Sequence, residues 1–236
     1  MNPGFFPANS SRLENIGGVR EAEAQGRPSA SWSRRLKRLL DLALVGLVGP
    51  FALPVVLVAA LWIKRVSPGP ALYAQDREGL GGRTIKVWKL RTMCPDAEAR
   101  LHEHLAACPE ARQEWERHFK LEHDPRILPG VGKLLRRTSL DELPQLWNVL
   151  RGEMSFVGPR PFPRYHLEQF SPEFLSLRRS VPPGLTGLWQ VSARGNGDLA
   201  VQETLDTQYI RQWSLLVDIR LIAHTVLVVL SQQGAY

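Results

Sequence analysis

Thr138–Pro161, TSLDELPQLWNVLRGEMSFVGPRP, decides how this chain is read. Leu140, Leu143, Leu146, Trp147 and Leu150 recur at helical spacing and predict one apolar face. At about 100° per residue, Asp141, Gln145 and Asn148 fall on the opposite face, with Glu142 on its shoulder. A helix of this kind presents carboxylates in its first turn, where free backbone N–H groups favour negative charge. Ser139-Leu140-Asp141-Glu142 also matches a capping box, with Ser139 as cap and Glu142 reaching back to the Ser139 N–H. Pro144 would remove one intrahelical bond, so a helix starting nearer Pro144, with Asp141 and Glu142 on the entering loop, is the alternative. Downstream, Gly158-Pro159-Arg160-Pro161 brackets an arginine between prolines. Such a rigid turn aims a guanidinium, the fork suited to phosphate.

The 236 residues around this stretch suffice for one domain with appendages. A formal charge of +7 and a pI near 9.8 point to an anionic partner. The basic residues gather beside an apolar segment and around the carboxylate pair, which favours phosphorylated ligands and anionic membrane lipid over nucleic acid. Cys94 and Cys108 make no disulfide framework, and a reducing compartment is the expectation.

Residues 1–33 are rich in Gly, Pro, Ser and Arg and read as a disordered tail, without the apolar core of a signal peptide. The basic run Arg34–Arg38 and Asp41 precede an uncharged stretch, Leu42–Ile63, which as a helix would extend about 33 Å, enough to cross a bilayer core. Lys64 and Arg65 close it, so both ends carry the positive charge that stays cytoplasmic. Pro50 and Pro54 interrupt the middle. A helix that enters, bends and returns satisfies both observations; an ordinary transmembrane anchor is the alternative. Asp41 reads as a structural charge paired with Arg38 or Lys37.

Ala71–Gln75 and Thr84–Leu90 read as strands joined by Gly79, Gly81 and Gly82, with Ile85, Val87 and Lys89 on one face of the second. Residues 95–120 have helical period; His102 and His104 face apart, which argues against a metal site. Tyr165–Ser180 reads as one amphipathic helix whose Arg164, Arg178 and Arg179 lie along a membrane surface or in solvent. Trp189 suits base stacking or an interfacial anchor, and Arg194 sits in a Gly-rich turn. A last apolar helix ends near Leu230 and is too short for a membrane span, so it should pack on the domain; Asp218 would cap it.

The combination SLDELPQLWNVLRGEMSFVGPRP, followed by PPGLTGLWQ and preceded by KLRTM, resembles the bacterial sugar transferases, the monotopic polyprenol-phosphate phosphoglycosyl transferases, from about Ser33 to Leu230. The resemblance implies an α+β, mostly helical fold: a small α/β catalytic domain (66–230) on the membrane surface, amphipathic surface helices, and a re-entrant membrane helix (34–65), with a tail at 231–236. Family members usually bend this helix at a Ser-Pro pair; here the bend would involve Pro50, Leu53 and Pro54. Where Pro182 stands, the family commonly has arginine. The resemblance implies Asp141 as nucleophile, Glu142 as second catalytic acid, and both as ligands of Mg²⁺. It places Lys89, Arg136, Arg160 and Asp218 around the substrate phosphates.

The implied reaction moves a sugar 1-phosphate from a UDP-sugar to polyprenol (undecaprenyl) phosphate through an aspartyl intermediate, releasing UMP. That is the first membrane step of exopolysaccharide, O-antigen or glycoconjugate synthesis, on the cytoplasmic face of the bacterial inner membrane. The long 95–120 insertion leans towards a hexose, galactose or glucose, and a homodimer is compatible with the chain. Adjacent carboxylates on one helix diverge too far to flank a glycosidic bond, so glycoside hydrolysis fits poorly. The competing readings are a membrane-bound nucleotide-sugar hydrolase and a non-enzymatic basic membrane adaptor.

Overall fold

A computed structural model describes residues 30–118, 121, 123–193 and 198–231. The expected tail, apart from its last few residues, and the turn carrying Arg194 lie outside the described residues, as does the C-terminal tail beyond Ser231.

The chain opens with α1 (Ala30–Val66), a single 37-residue helix that starts inside the stretch expected to be tail and contains both Pro50 and Pro54. It is long and apolar enough to cross a membrane, and in its most apolar window 11% is buried against protein. Leu39, Leu47, Phe51, Leu53, Leu57, Val58 and Leu61 are exposed along it. Yet its first turns, its middle and its last turns all touch one body. Arg38 donates to the carbonyls of Val149 and Leu150 (2.6 and 2.7 Å), Ala52 joins the main core, and Ala59 and Ile63 pack with Leu90, Val131 and Leu135.

After α1, β1 (Leu72–Glu78) and β2 (Thr84–Leu90) form the expected antiparallel hairpin, with Arg77 opposite Ile85, Gln75 opposite Val87 and Tyr73 opposite Lys89. Gly81 and Gly82 take positive φ (68° and 76°) in the connection, which glycine does without a Cβ clash. Two short helices, α2 (Ala97–Ala107) and α3 (Pro109–His118), make a satellite hairpin around Leu101 and Ala111. Helix α4 (Val131–Thr138) then leads to a 3-10 helix, Leu140–Gln145, followed by α5 (Leu146–Leu150).

The expected single helix with an apolar stripe is thus corrected towards the alternative: the α-helix starts at Leu146, after Pro144, with Asp141 and Glu142 in the 3-10 turn ahead of it. Pro144 interrupts the bonding, and the burial is partly inverted: Trp147 and Leu150 are exposed, whereas Gln145 and Asn148 are buried. The physical reason is Asn148. Its amide accepts from Trp88 N (3.2 Å) and donates to the Lys86 carbonyl and Glu153 (both 2.7 Å), bonding the backbone of β2 to α5. The capping box is absent as well. Ser139 is left-handed (φ 57°, ψ 16°), its side chain makes no cap bond, and its N–H donates to Arg136 O (3.2 Å).

Beyond α5, β3 (Ser155–Val157) pairs in parallel with β4 (Gly184–Thr186). Between them, Pro172 splits the expected amphipathic helix into α6 (Arg164–Leu167) and α7 (Pro172–Arg178), the latter capped by Ser171 Oγ. Arg178 is buried rather than on a surface, and Arg179 pairs with Glu78 at 2.8 Å. Helices α8 (Leu188–Ala193), α9 (Leu199–Arg211) and α10 (Leu215–Ser231) complete the body. Trp189 belongs to the core, edge-on to Phe162 at 6.3 Å, and is neither a base platform nor an anchor in this fold. As expected, α10 packs on the domain through Leu221 while Ile219 and Leu227 stay exposed.

Candidate active site

Four of the six candidate residues come together where the 3-10 helix meets β2 and the Gly158-Pro159-Arg160 turn. One oxygen of Glu142, Oε1, accepts from Lys89 Nζ at 2.7 Å and from Arg160 Nη2 at 2.9 Å. Glu142 is therefore the hub of the cluster. Lys89 reaches it because the alternation of β2 turns Val87 and Lys89 inward, as the sequence indicates. Arg160 reaches it because the turn is fixed in the backbone. Gly158 N donates to Thr186 O, and Gly184 N donates to Pro159 O (both 2.9 Å). A Cβ on Gly158 would come 2.5 Å from the Pro182 carbonyl, so only glycine lets the turn approach β4 this closely.

Asp141, the neighbour of Glu142, differs from it. Among the described residues its carboxylate makes no hydrogen bond or ion pair, although Lys89, Arg136 and Arg160 all act on it electrostatically. Burial raises its pKa above the ordinary aspartate value, the charge of Glu142 raises it further, and the three cations oppose both. The left-handed Ser139 sits two residues upstream, where α4 gives way to the 3-10 helix and turns the pair towards β2. Arg136, in the last turn of α4, donates from Nε to Thr92 Oγ1 (2.9 Å) and is desolvated, with Asp124 and Asp141 as its nearby carboxylates.

An open cleft beside the cluster is lined by Arg77, Lys89, Glu142, Gln145, Arg160 and Leu185, and neither Asp141 nor Arg136 is among its lining residues. Arg77 escaped the sequence reading. The signal was available in the strand register, since residues opposite one another in an antiparallel pair share a face, and Arg77, Gln75 and Tyr73 stand opposite Ile85, Val87 and Lys89. Arg77 donates to Gln75 Oε1; burial and then the charge of Arg160 lower its pKa.

Asp218 is not brought to this cluster. It is 1% exposed and accepts from Lys37 Nζ (2.6 Å), Trp213 Nε1 (3.1 Å) and Tyr209 OH (2.9 Å). Lys37 Nζ and Tyr209 OH also reach the Val157 carbonyl, at 2.8 and 3.0 Å. Asp41 accepts from Ser155 Oγ and Phe156 N, each at 2.9 Å. The expected role of Asp218 at substrate phosphate is corrected accordingly: its oxygens are spent on fastening α1 to β3 and α10. Asp41 hydrogen-bonds β3 in that same anchor, with the Lys37 charge acting on it electrostatically.

Lys89, Arg160, Arg136 and Arg77 offer donors suited to phosphate oxygens, beside a carboxylate with no bond among the described residues. Residues 32–232 match the family model of the bacterial sugar transferases. The chain is 45% identical over 204 residues to an uncharacterized sugar transferase of Haemophilus influenzae, covering 86% of this chain and 43% of that protein. It is 43% identical over 205 residues to the undecaprenyl-phosphate galactose phosphotransferase of Salmonella typhimurium, covering 86% and 42%. With the exopolysaccharide production protein ExoY of Rhizobium meliloti it shares 35% identity over 235 residues, 100% of this chain and 96% of that one. The chain thus spans less than half the length of the first two relatives and nearly all of the third. On this match, the chain belongs to the bacterial sugar transferase family.

Proposed function

We propose that this protein transfers a hexose 1-phosphate, galactose or glucose, from a UDP-sugar to polyprenol (undecaprenyl) phosphate at a membrane surface. The observation that carries the reading is the division of labour in the acidic pair. Glu142 absorbs Lys89 and Arg160 as hydrogen-bond partners, and Asp141 stays unbonded within their field. A desolvated carboxylate beside fixed cations is a nucleophile placed where phosphate oxygens are neutralised. The names of the Salmonella relative and of ExoY support lipid-linked sugar phosphate and exopolysaccharide chemistry.

The reaction runs in two displacements. An Asp141 oxygen bonds to the sugar-linked phosphorus as the bond to the second phosphate breaks, and UMP leaves with that electron pair. A phosphate oxygen of the polyprenol phosphate then attacks the same phosphorus, the acyl phosphate bond breaks, and Asp141 returns as carboxylate. Arg160 and Lys89 steady the transferred phosphoryl oxygens, while Arg136 and Arg77 suit the remaining phosphate charge. The described residues hold no cluster of three or more metal-ligating side chains, but Mg²⁺ is ordinarily held by only one or two carboxylates together with substrate phosphates and water, and Asp141 and Glu142 would be those ligands. When bound, the ion supplies charge neutralisation on the phosphates.

For α1 we favour re-entry from one face, the cytoplasmic one. Its support is that Lys37 and Arg38 near one end and Ala59 and Ile63 near the other all pack on the same body, while the stripe between them is apolar and exposed. Exposed Trp147 and Leu150, next to the Arg38 contact, extend that apolar surface.

The test is nucleotide release from a panel of UDP-sugars with Mg²⁺ in nanodiscs, with and without undecaprenyl phosphate. Sustained UMP release that needs the lipid, and that disappears in Asp141→Asn with the fold retained, is expected. UDP as product would contradict the mechanism, and lipid-independent turnover would make the protein a hydrolase. Nucleotide release unaffected by Asp141→Asn would remove Asp141 from the chemistry.

A further inference from the structure

We propose that Arg178 and Asp206 are a positioning pair that aims the Arg160 guanidinium from inside the protein. The inference rests on the transferase reading above, in which Arg160 binds phosphate. Neither residue touches the cleft's acidic pair. Arg178 Nη2 donates to the carbonyl of Arg160 itself, and Nη1 donates to Asp206 Oδ2 at 2.8 Å. Its guanidinium carbon lies 4.9 Å from the centre of the Phe162 ring, two residues beyond Arg160. Both partners are sealed from solvent, with side chains 5% and 2% exposed.

A buried ion pair of this kind adds little net stability, because desolvating both charges offsets their attraction. A core hydrophobic pair would pack the α7–α9 contact as well. What an apolar pair cannot do is donate to a main-chain carbonyl while being fixed on its other side by a carboxylate. The guanidinium fork does both at once. The recipient carbonyl belongs to the residue whose side chain holds Glu142, at the end of a turn that is otherwise pinned. Val157 O takes Lys37 and Tyr209, Gly158 N bonds Thr186 O, and Pro159 O takes Gly184 N. Beyond the turn Glu78 N bonds Phe162 O (3.1 Å), and Arg178 supplies the fixed point at the Arg160 carbonyl itself. Without it the peptide after Arg160 can rotate, and the guanidinium direction rotates with it. An error of about 1 Å at a catalytic group costs on the order of a hundredfold in rate.

The experiment compares Arg178→Met/Asp206→Leu, which removes both buried charges together, in the wild-type and Arg160→Lys backgrounds. Lipid-dependent UMP release, thermal unfolding in detergent and amide exchange of residues 156–162 are read on each. A loss of at least tenfold in kcat with the melting temperature kept, shrinking towards none in the Arg160→Lys background, is expected. Faster exchange confined to the 156–162 segment should accompany it. Wild-type kcat in the folded double variant, or an equal loss in both backgrounds, overturns the proposal.

Should the double variant not fold, Arg178→Lys decides. It keeps a charge against Asp206 but not the fork, so reduced kcat with faster exchange is expected, and unchanged values of both refute the pair's role. If Arg160→Lys is itself fully active, the phosphate role of Arg160 fails instead. Amide exchange then judges the clamp alone: accelerated at 156–162 if the clamp exists, unchanged if it does not.

Discussion

Two clusters in this molecule set carboxylates against cations, and they are finished differently. In the anchor that holds α1, Asp218 takes three donors, Lys37 gives to Asp218 and Val157, and the side chains of the ion pair are 11% and 1% exposed. In the cleft, Glu142 takes Lys89 and Arg160, the cations are about a quarter exposed, and Asp141 is left over. Both carboxylates of the anchor, Asp41 and Asp218, are bonded to protein; in the cleft cluster, among the described residues, Asp141 is not. Ionic composition alone therefore does not mark a reactive site. What distinguishes the cleft cluster is a desolvated carboxylate in the field of three cations and bonded to none of them among the described residues.

Swapping one cation in each cluster gives the sharpest contrast. Lys89→Met should lower UMP release by about a hundredfold and change stability by about 1 kcal/mol or less, as for a partly exposed pair. Lys37→Met should do the reverse first. It strands Asp218 in the interior, at a cost of about 3–5 kcal/mol, and Lys37→Met/Asp218→Leu should recover most of that loss. Unfolding curves in matched detergent check both, and a strongly destabilised Lys89→Met alongside a stable Lys37→Met would abolish the distinction.

Asn148→Ala should follow at about 2 kcal/mol, because the Trp88 amide and Lys86 carbonyl lose their partner. The same measurement checks it. A neutral result would mean that β2 holds its place without α5.

The smallest effect concerns pH. In the proposed mechanism transfer needs Asp141 ionised, and its pKa is raised by burial and by the charge of Glu142. Activity should therefore be lost, as pH falls, at a higher pH than an ordinary aspartate with its value of 3.8 would allow. Arg136 lowers that pKa, so Arg136→Met should move the acid limb further up. A limb that moves down at fixed Mg²⁺ would contradict the assignment.

Much of the site was legible because it is local. Asp141, Glu142 and Arg160 lie within one 24-residue stretch, and the period-2 pattern of β2 turned Lys89 the right way. The β hairpin, the apolar N-terminal helix and the packed last helix were legible for the same reason: period and punctuation sit in adjacent residues. Some failures were local, where Pro144 and Pro172 broke expected helices; the others were long-range. Asn148 looked like a solvent-facing polar residue until β2 supplied unpaired backbone groups, 60 residues away, for it to satisfy. Asp218 looked like a cap or an active-site acid, and its partner is Lys37, 181 residues earlier. Arg178 looked like a surface charge until Asp206 and the Arg160 carbonyl gave it an interior role. Burial of a polar residue depends on what packs over it, and no window of the chain contains that information.

The central claim is that Asp141 carries the sugar phosphate. Its most direct test omits the lipid acceptor: the protein is mixed with UDP-galactose or UDP-glucose and Mg²⁺, quenched in acid, and digested for mass spectrometry. The account predicts a mass increase of one hexose phosphate on the peptide containing Asp141, one UMP released per adduct, and loss of the adduct when undecaprenyl phosphate is added before quenching. Lipid-dependent UMP release with no adduct at any time, or an adduct on a residue other than Asp141, would contradict it.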